Sequence, residues 1–198
     1  VGGTKDEPKP LQKRGFFVQE DNVSVEFNIP PAHNHEEFIN NIQYVLKNIK
    51  NKLKKYEFSQ DSALVFPEHQ LQHPKALEFG CEPDFNAWTK QVNPRPKATD
   101  AALRSAGGHV HIGTREDPIE VIRAVDLFVG CPSILLDKNG AMRRKLYGGA
   151  GAFRPKNYGC EYRTLSNFWI FSEKTMKWVY DQVARAIDFV ESGETIDE

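Results

Sequence analysis

Two histidines one residue apart, His109 and His111, lie in the run GGHVHIG. On a strand, residues i and i+2 point to one side. Both imidazoles would then project from one face, at a spacing that suits shared contact with a metal ion or a phosphate. Gly107 and Gly108 before them allow close approach of another backbone or a ligand. Two polar residues on a solvent-facing strand would look the same, and the pair alone does not decide. Glu161-Tyr162-Arg163 repeats the spacing. A carboxylate beside a guanidinium is first of all an ion pair, worth little on a surface. In a cleft the carboxylate can hold a divalent cation while the arginine binds an anionic substrate.

Three further groups could join them. Asn22 and Glu26 fall on one face of a strand whose other face carries Val23, Val25 and Phe27. Cys81-Glu82-Pro83-Asp84-Phe85-Asn86 puts Glu82 and Asp84 in a turn, fit either for a capped turn or for recognising an amine or another substrate group. In residues 137–160, Arg143, Arg144, Lys145, Arg154 and Lys156 alternate with Gly140, Gly148, Gly149, Gly151 and Gly159. Glycines expose backbone N–H groups and arginines supply bidentate phosphate contacts. Neither the P-loop nor the dinucleotide-binding glycine spacing is present. An exposed basic loop is the plain alternative to a nucleotide-phosphate site. No GxSxG, HExxH or usable Ser-His-Asp order occurs.

The elements that must position these residues are readable. A strand is expected over 16–28, interrupted at 20–22. A helix over 34–56 has Asn34 as N-cap, Glu37 as its capping-box partner, and Phe38, Ile42, Val45, Ile49 and Leu53 on one face. Short strands and turns fill 62–88, and a polar connection covers 89–102. A helix over 118–129 is capped by Asp117 and stopped by Gly130. A strand over 161–170 precedes a last helix from about Ser172, with Met176, Val179, Val183, Ile187 and Val190 facing inward and Gly193 ending it. Strands without regular β–α alternation favour an α+β domain with a mainly antiparallel sheet and helices packed on one face. The 198 residues are read as one domain.

Composition narrows the function. Twenty-six Lys and Arg against 27 Asp and Glu give a net charge of −1. That argues against a dedicated nucleic-acid binder. No apolar run approaches membrane-spanning length, and no signal-peptide pattern opens the sequence, so a cytoplasmic setting is expected. Cys81, Cys131 and Cys160 lack metal-type spacing and read as buried, reduced thiols.

The runs GGHVHIG, RRKLYGGAGAFR and YGCEYRTLSNFW, in that order, with QEDNVSVEFNIPPA and FGCEPDFNAW before them, resemble the phage-associated carboxylate–amine ligase family. That family is similar to glutamate–cysteine ligase and glutamine synthetase. The resemblance implies a glutamine-synthetase-like fold and an ATP-dependent ligase. ATP would phosphorylate a carboxylate, and an amine would attack the acyl phosphate to form an amide. It implies metal ligation of Mg2+ or Mn2+ by His109, Glu161 and Glu26. His111 would stand near the substrate, Arg163 would face the acyl phosphate or acid, and Arg144 and Arg154 would hold the nucleotide, with Arg143 and Lys145 beside them. Arg163, His111 and Arg144 are thus the expected catalytic residues, and Asn22, Glu82 and Asp84 the expected substrate contacts. The substrates would be small-molecule or peptide acids and amines, with no nucleic acid or membrane involved. Relatives often share sites between subunits, which leaves a homo-oligomer open. The chain would work in the cytoplasm of a bacterial host, encoded by a phage or prophage. Family members carry an acidic Asp-Pro-Glu strand ahead of the region matching GGTKDEPKPL, and the sequence as given opens at Val1 without it. Two rival readings stand beside the ligase. One is a processed or degenerate ligase fold serving as a virion or interaction protein. The other is an iron oxygenase with a His/carboxylate triad.

Overall fold

A computed structural model describes residues 1–21, 23–72, 84–94 and 102–196. Its contacts divide the chain into two compact units, Val1–Ser59 with Phe66–Phe79, and Gln60–Val65 with Gly80–Glu198. Asn22, Cys81 and Glu82 lie outside the described residues. The secondary structure is mixed helix and antiparallel sheet. Among the described residues no helix is long and apolar enough to cross a membrane.

The first unit is a three-stranded antiparallel sheet, β1 (Lys9–Pro10), β2 (Phe17–Asp21) and β3 (Ser24–Asn28), with helix α1 (His35–Lys52). The single interrupted strand expected over 16–28 is instead a hairpin, because Asp21 pairs back onto Ser24. Asn34 caps α1 by accepting from Glu37 N, and Glu37 in turn accepts from His33 N. The helix stops at Lys52 rather than Tyr56, with Leu53 N still bonded to Ile49 O. Phe16, Val18, Val45 and Ile49 form the core, and Val25, Phe27 and Leu53 pack against it. Alternation and the 3.6 period dictate this packing.

The second unit carries a five-stranded antiparallel sheet in the order β6-β5-β9-β10-β8. Its strands are β5 (Phe85–Asn86), β6 (Gln91–Val92), β8 (Val110–Gly113), β9 (Ala152–Lys156) and β10 (Gly159–Tyr162). A separate pair, β4 (Ala63–Val65) with β7 (Leu103–Ser105), is also antiparallel. Helix α2 (Pro118–Val125) begins at its Asp117 cap, whose side chain accepts from Ile119 N. Gly130 does not end it. The chain passes through a π-helical turn, Asp126–Gly130, into α3 (Cys131–Leu136). Residues 137–160 are not one loop either. They contain α4 (Ala141–Leu146), then the β9–β10 hairpin. The strand expected over 161–170 ends at Tyr162, and Ser166 starts a 3₁₀ turn, Asn167–Phe171, by accepting from Phe168 N. The last helix, α5 (Glu173–Glu191), starts after Ser172 and buries Met176, Val179 and Val183. Gly193 follows it in the left-handed region, at φ 82°. Cys160 is a buried thiol pushed up to about 12 by burial, whereas Cys131 is exposed, contrary to expectation.

Gly130, the last residue of the π-turn, lies against the sheet. A Cβ there would stand 2.3 Å from Tyr162 Oη and 2.9 Å from Asp126 Oδ1. Tyr162 is fully buried and cannot retreat. Gly130→Ala should therefore cost about 1–3 kcal/mol, the usual cost of overpacking. A urea-unfolding midpoint unchanged from wild type would contradict this account of the turn.

Candidate functional site

Register decides which residues share a face of the five-stranded sheet. Tyr162 is paired with Val110 on one side and Phe153 on the other, and all three are buried. Tyr162 reaches Asp126 at the end of α2, so this face is the one covered by helix. One residue back, Glu161 is paired with His111 and with Arg154. The pleat turns these three to the opposite face. His109 and Arg163, each two residues along, join them there.

Glu161 is the centre of this face and is only 3% exposed. Its Oε1 accepts a hydrogen bond from Arg163 Nη1 and lies 3.3 Å from His109 Nδ1. Its Oε2 is 3.0 Å from Lys156 Nζ. Arg163 Nε lies 3.4 Å from Asp84 Oδ2, and Asn93 fixes the other Asp84 oxygen at 3.1 Å. Burial alone would raise the Glu161 carboxyl. The His109 hydrogen bond, Arg163 and Lys156 outweigh it and hold the group well below the usual carboxylate range. His109 is shifted the other way. Burial, then Arg163 and Arg143, outweigh Glu161 and lower the imidazole to about 4. It is thus neutral at pH 7 and has one N–H, so Nδ1 either donates to Glu161 or accepts from Arg163, which is 3.3 Å away. His111, lowered chiefly by burial, is joined through Nδ1 to Tyr158 Oη at 2.5 Å.

The glycines before His109 are there for side-chain contact. A Cβ on Gly107 would lie 2.6 Å from His109 Nε2 and 2.8 Å from Arg143 Nη2. One on Gly108 would lie 2.5 Å from Trp169 Nε1. Arg143 itself is buried and donates to the carbonyl oxygens of Thr164, at 2.8 Å, and Arg163, at 3.1 Å. It braces the backbone that leaves β10.

His109, His111, Glu161, Arg163, Arg154 and Asp84 come together. Arg144 sits on α4 and pairs with Asp137 at 3.1 Å, and Lys145 is exposed on the same helix. Glu26 lies on β3 of the first unit, where it accepts from Gln19 Nε2 at 2.6 Å. Asn22 and Glu82 fall outside the described residues. Two participants were not assigned to this cluster from sequence. Lys156 was visible only as one cation of a basic stretch, and Tyr158 carried no motif. Both are placed by the hairpin register, which no spacing rule reveals.

Behind the face, Asp126 ties the sheet together from the helix side. Its Oδ2 accepts from Trp88 Nε1 at 2.7 Å and Gly151 N at 2.5 Å, and its Oδ1 accepts from Tyr162 Oη at 2.5 Å. Three segments that carry site residues are thus joined at one buried carboxylate. They are the Asp84 turn through Trp88, the approach to β9 through Gly151, and β10 through Tyr162.

Two carboxylates, Glu161 and Asp84, share this face with three cations, Arg154, Lys156 and Arg163. With both imidazoles neutral the face holds surplus positive charge in a partly buried setting. Such a surface suits a polyanionic ligand. Among the described residues no three or more His, Cys, Asp and Glu are grouped to hold a metal ion. Glu161 supplies the kind of donor that magnesium takes, one or two protein carboxylates completed by substrate phosphates and water, with the His109 imidazole beside it at 3.3 Å.

Residues 95–188 match the family model described as phage phiEco32-like COOH.NH2 ligase-type 2. This is the family that the motifs resemble. The matched segment spans β8, α2, β9 and β10, and so His109, His111, Arg154, Lys156, Glu161 and Arg163. Asp84 and Glu26 lie before it. No curated protein and no solved structure matches the chain.

Proposed function

We propose that the protein is an ATP-dependent carboxylate–amine ligase, encoded by a phage or prophage, acting in the host cytoplasm and built on a glutamine-synthetase-like sheet. The observation that carries this reading is the cationic face around Glu161 and Arg163, inside the segment that matches the ligase family. Joining an acid to an amine gathers a carboxylate and a polyphosphate in one place. Their mutual repulsion must be offset before they react. ATP, when bound, supplies the phosphoryl group that activates the carboxylate, and magnesium carried on its phosphates shields their charge. Arg163, nearly buried and held by Glu161 and Asp84, supplies a fixed positive charge to this face. Arg154 and Lys156 extend the positive surface along β9. Glu161 and His109 are the residues that would hold the metal. No side chain need act as covalent nucleophile.

The test is ADP release with mixtures of acids and amines, with mass detection of the new amide. ADP release that requires both substrates is expected. Release independent of the amine, or none across broad mixtures, would overturn the ligase reading. One observation favours the rival, a ligase fold kept as a virion or interaction protein. Both oxygens of Glu161 are already engaged by cations. The rival expects no ADP release at all.

A further inference from the structure

We propose that Lys156 guards the metal position at Glu161, holding the carboxylate closed to a divalent cation until a polyphosphate draws the lysine away. Glu161 offers two oxygens. Oε1 is shared by Arg163 and His109, so a metal ion bound beside His109 must compete with Arg163 there or take Oε2. Oε2 is covered by the Lys156 ammonium at 3.0 Å. An ammonium at Oε2 opposes a divalent cation there, because the two like charges repel in a partly buried setting.

The two cations on Glu161 differ in their freedom to move. Arg163 is 5% exposed and is held by Asp84 as well as Glu161. The Lys156 side chain is 32% exposed and hangs from the end of β9 on a flexible four-carbon stem. It can exchange one anion for another at small cost. A phosphate arriving on this face would attract it from Glu161 and expose Oε2 as its own cation arrives. Metal and nucleotide would then bind together and each weakly alone. The linkage is reciprocal, since whatever opens the site for one ligand raises affinity for the other.

The role of Lys156 is read from its contact with Glu161; that a metal binds there rests, like the nucleotide, on the ligase reading, and the experiment separates the two. Mn2+ binding is followed by loss of the free-ion electron paramagnetic resonance signal in the full chain. Wild type, Lys156→Gln and Lys177→Gln are compared, the last as a charge-matched control whose partner is Asp181 on α5. Wild type should bind Mn2+ weakly alone and more tightly with a non-hydrolysable ATP analogue, counted beyond the Mn2+ that the analogue takes up without protein. Lys156→Gln should bind it about tenfold more tightly without nucleotide, a change of ~1.4 kcal/mol, and should lose most of the nucleotide enhancement. Lys177→Gln should behave as wild type. Equal nucleotide-free affinity in wild type and Lys156→Gln would overturn the guard. So would tight binding that survives in the Lys156→Gln/Glu161→Gln chain. If the analogue leaves wild-type Mn2+ binding unchanged, the ATP-dependent reading fails, while the nucleotide-free comparison still decides the role of Lys156.

Discussion

Replacing Asp126 by alanine should cost about 3–5 kcal/mol of stability, the order expected when several buried donors lose one shared acceptor. Three donors, from Trp88, Gly151 and Tyr162, would be stranded at once around a carboxylate that is itself buried. Each orphaned group alone carries a cost of about 1–3 kcal/mol. Asp126→Asn should cost far less. Its amide oxygen can take the Oδ2 position, where Trp88 and Gly151 donate, and its NH2 can donate to a Tyr162 hydroxyl that turns to accept. The pH dependence has a definite sign. Burial raises the Asp126 carboxyl above its ordinary 3.8, against the pull of Tyr162, Trp88 and Gly151. Its contribution to stability is therefore complete below 3.8 and is lost as pH rises through the raised folded value. Wild type should lose ground to Asp126→Asn between acid and neutral pH. Urea unfolding of the three proteins across that range is the check. A cost under about 1 kcal/mol for alanine would refute the anchoring role.

Glu161→Ala should bring ADP release to background and also destabilise the fold by about 3 kcal/mol. The carboxylate is the common partner of Arg163, Lys156 and His109. Without it the nearly buried guanidinium keeps Asp84 at 3.4 Å but loses its closest counter-ion. Here the linkage runs opposite to that of Asp126. The folded carboxyl sits below its ordinary 4.5, so its stabilisation is fully present above 4.5 and disappears as pH falls through the lower folded value. The stability gap between wild type and Glu161→Ala should shrink on acidification. Glu161→Gln separates charge from packing, because it keeps the volume and one acceptor oxygen. Activity near wild type in the alanine variant would remove this face from the chemistry. An unchanged unfolding midpoint would show that the ion pairs contribute nothing net.

What the sequence discloses follows from the range of the forces involved. Asn34, Asp117 and the inward series Met176, Val179 and Val183 announce three helices, because capping and the 3.6 period are local. The period of two puts Glu161 with Arg163 and His109 with His111 for the same reason. Gly130 misleads, since a glycine at a helix end and a glycine required by a neighbour's hydroxyl look alike in one dimension. Helix α4 is hidden by glycines on both sides and by arginines that read as loop, although Arg143 is buried against the carbonyls beyond β10. Lys156, Tyr158 and Asp126 meet their partners only through strand register and a helix-to-sheet contact. No window of adjacent residues contains that information.

The widened turn at Asp126–Gly130 also sets the phase of everything downstream. A π-turn is an α-helix with one residue too many, and each residue of an α-helix advances by about 100°. Deleting a single residue there, such as the half-exposed Leu127, would remove the excess and let the two helical segments run on as one regular rod, with Ile134 and Leu135 keeping the faces they now hold. Closing the turn to regular helix without a deletion would instead carry them round by about a quarter turn and swing Gly130 off the Tyr162 hydroxyl. A one-codon deletion in this stretch should thus be absorbed, whereas the same deletion within a regular helix such as α5 would rotate everything after it.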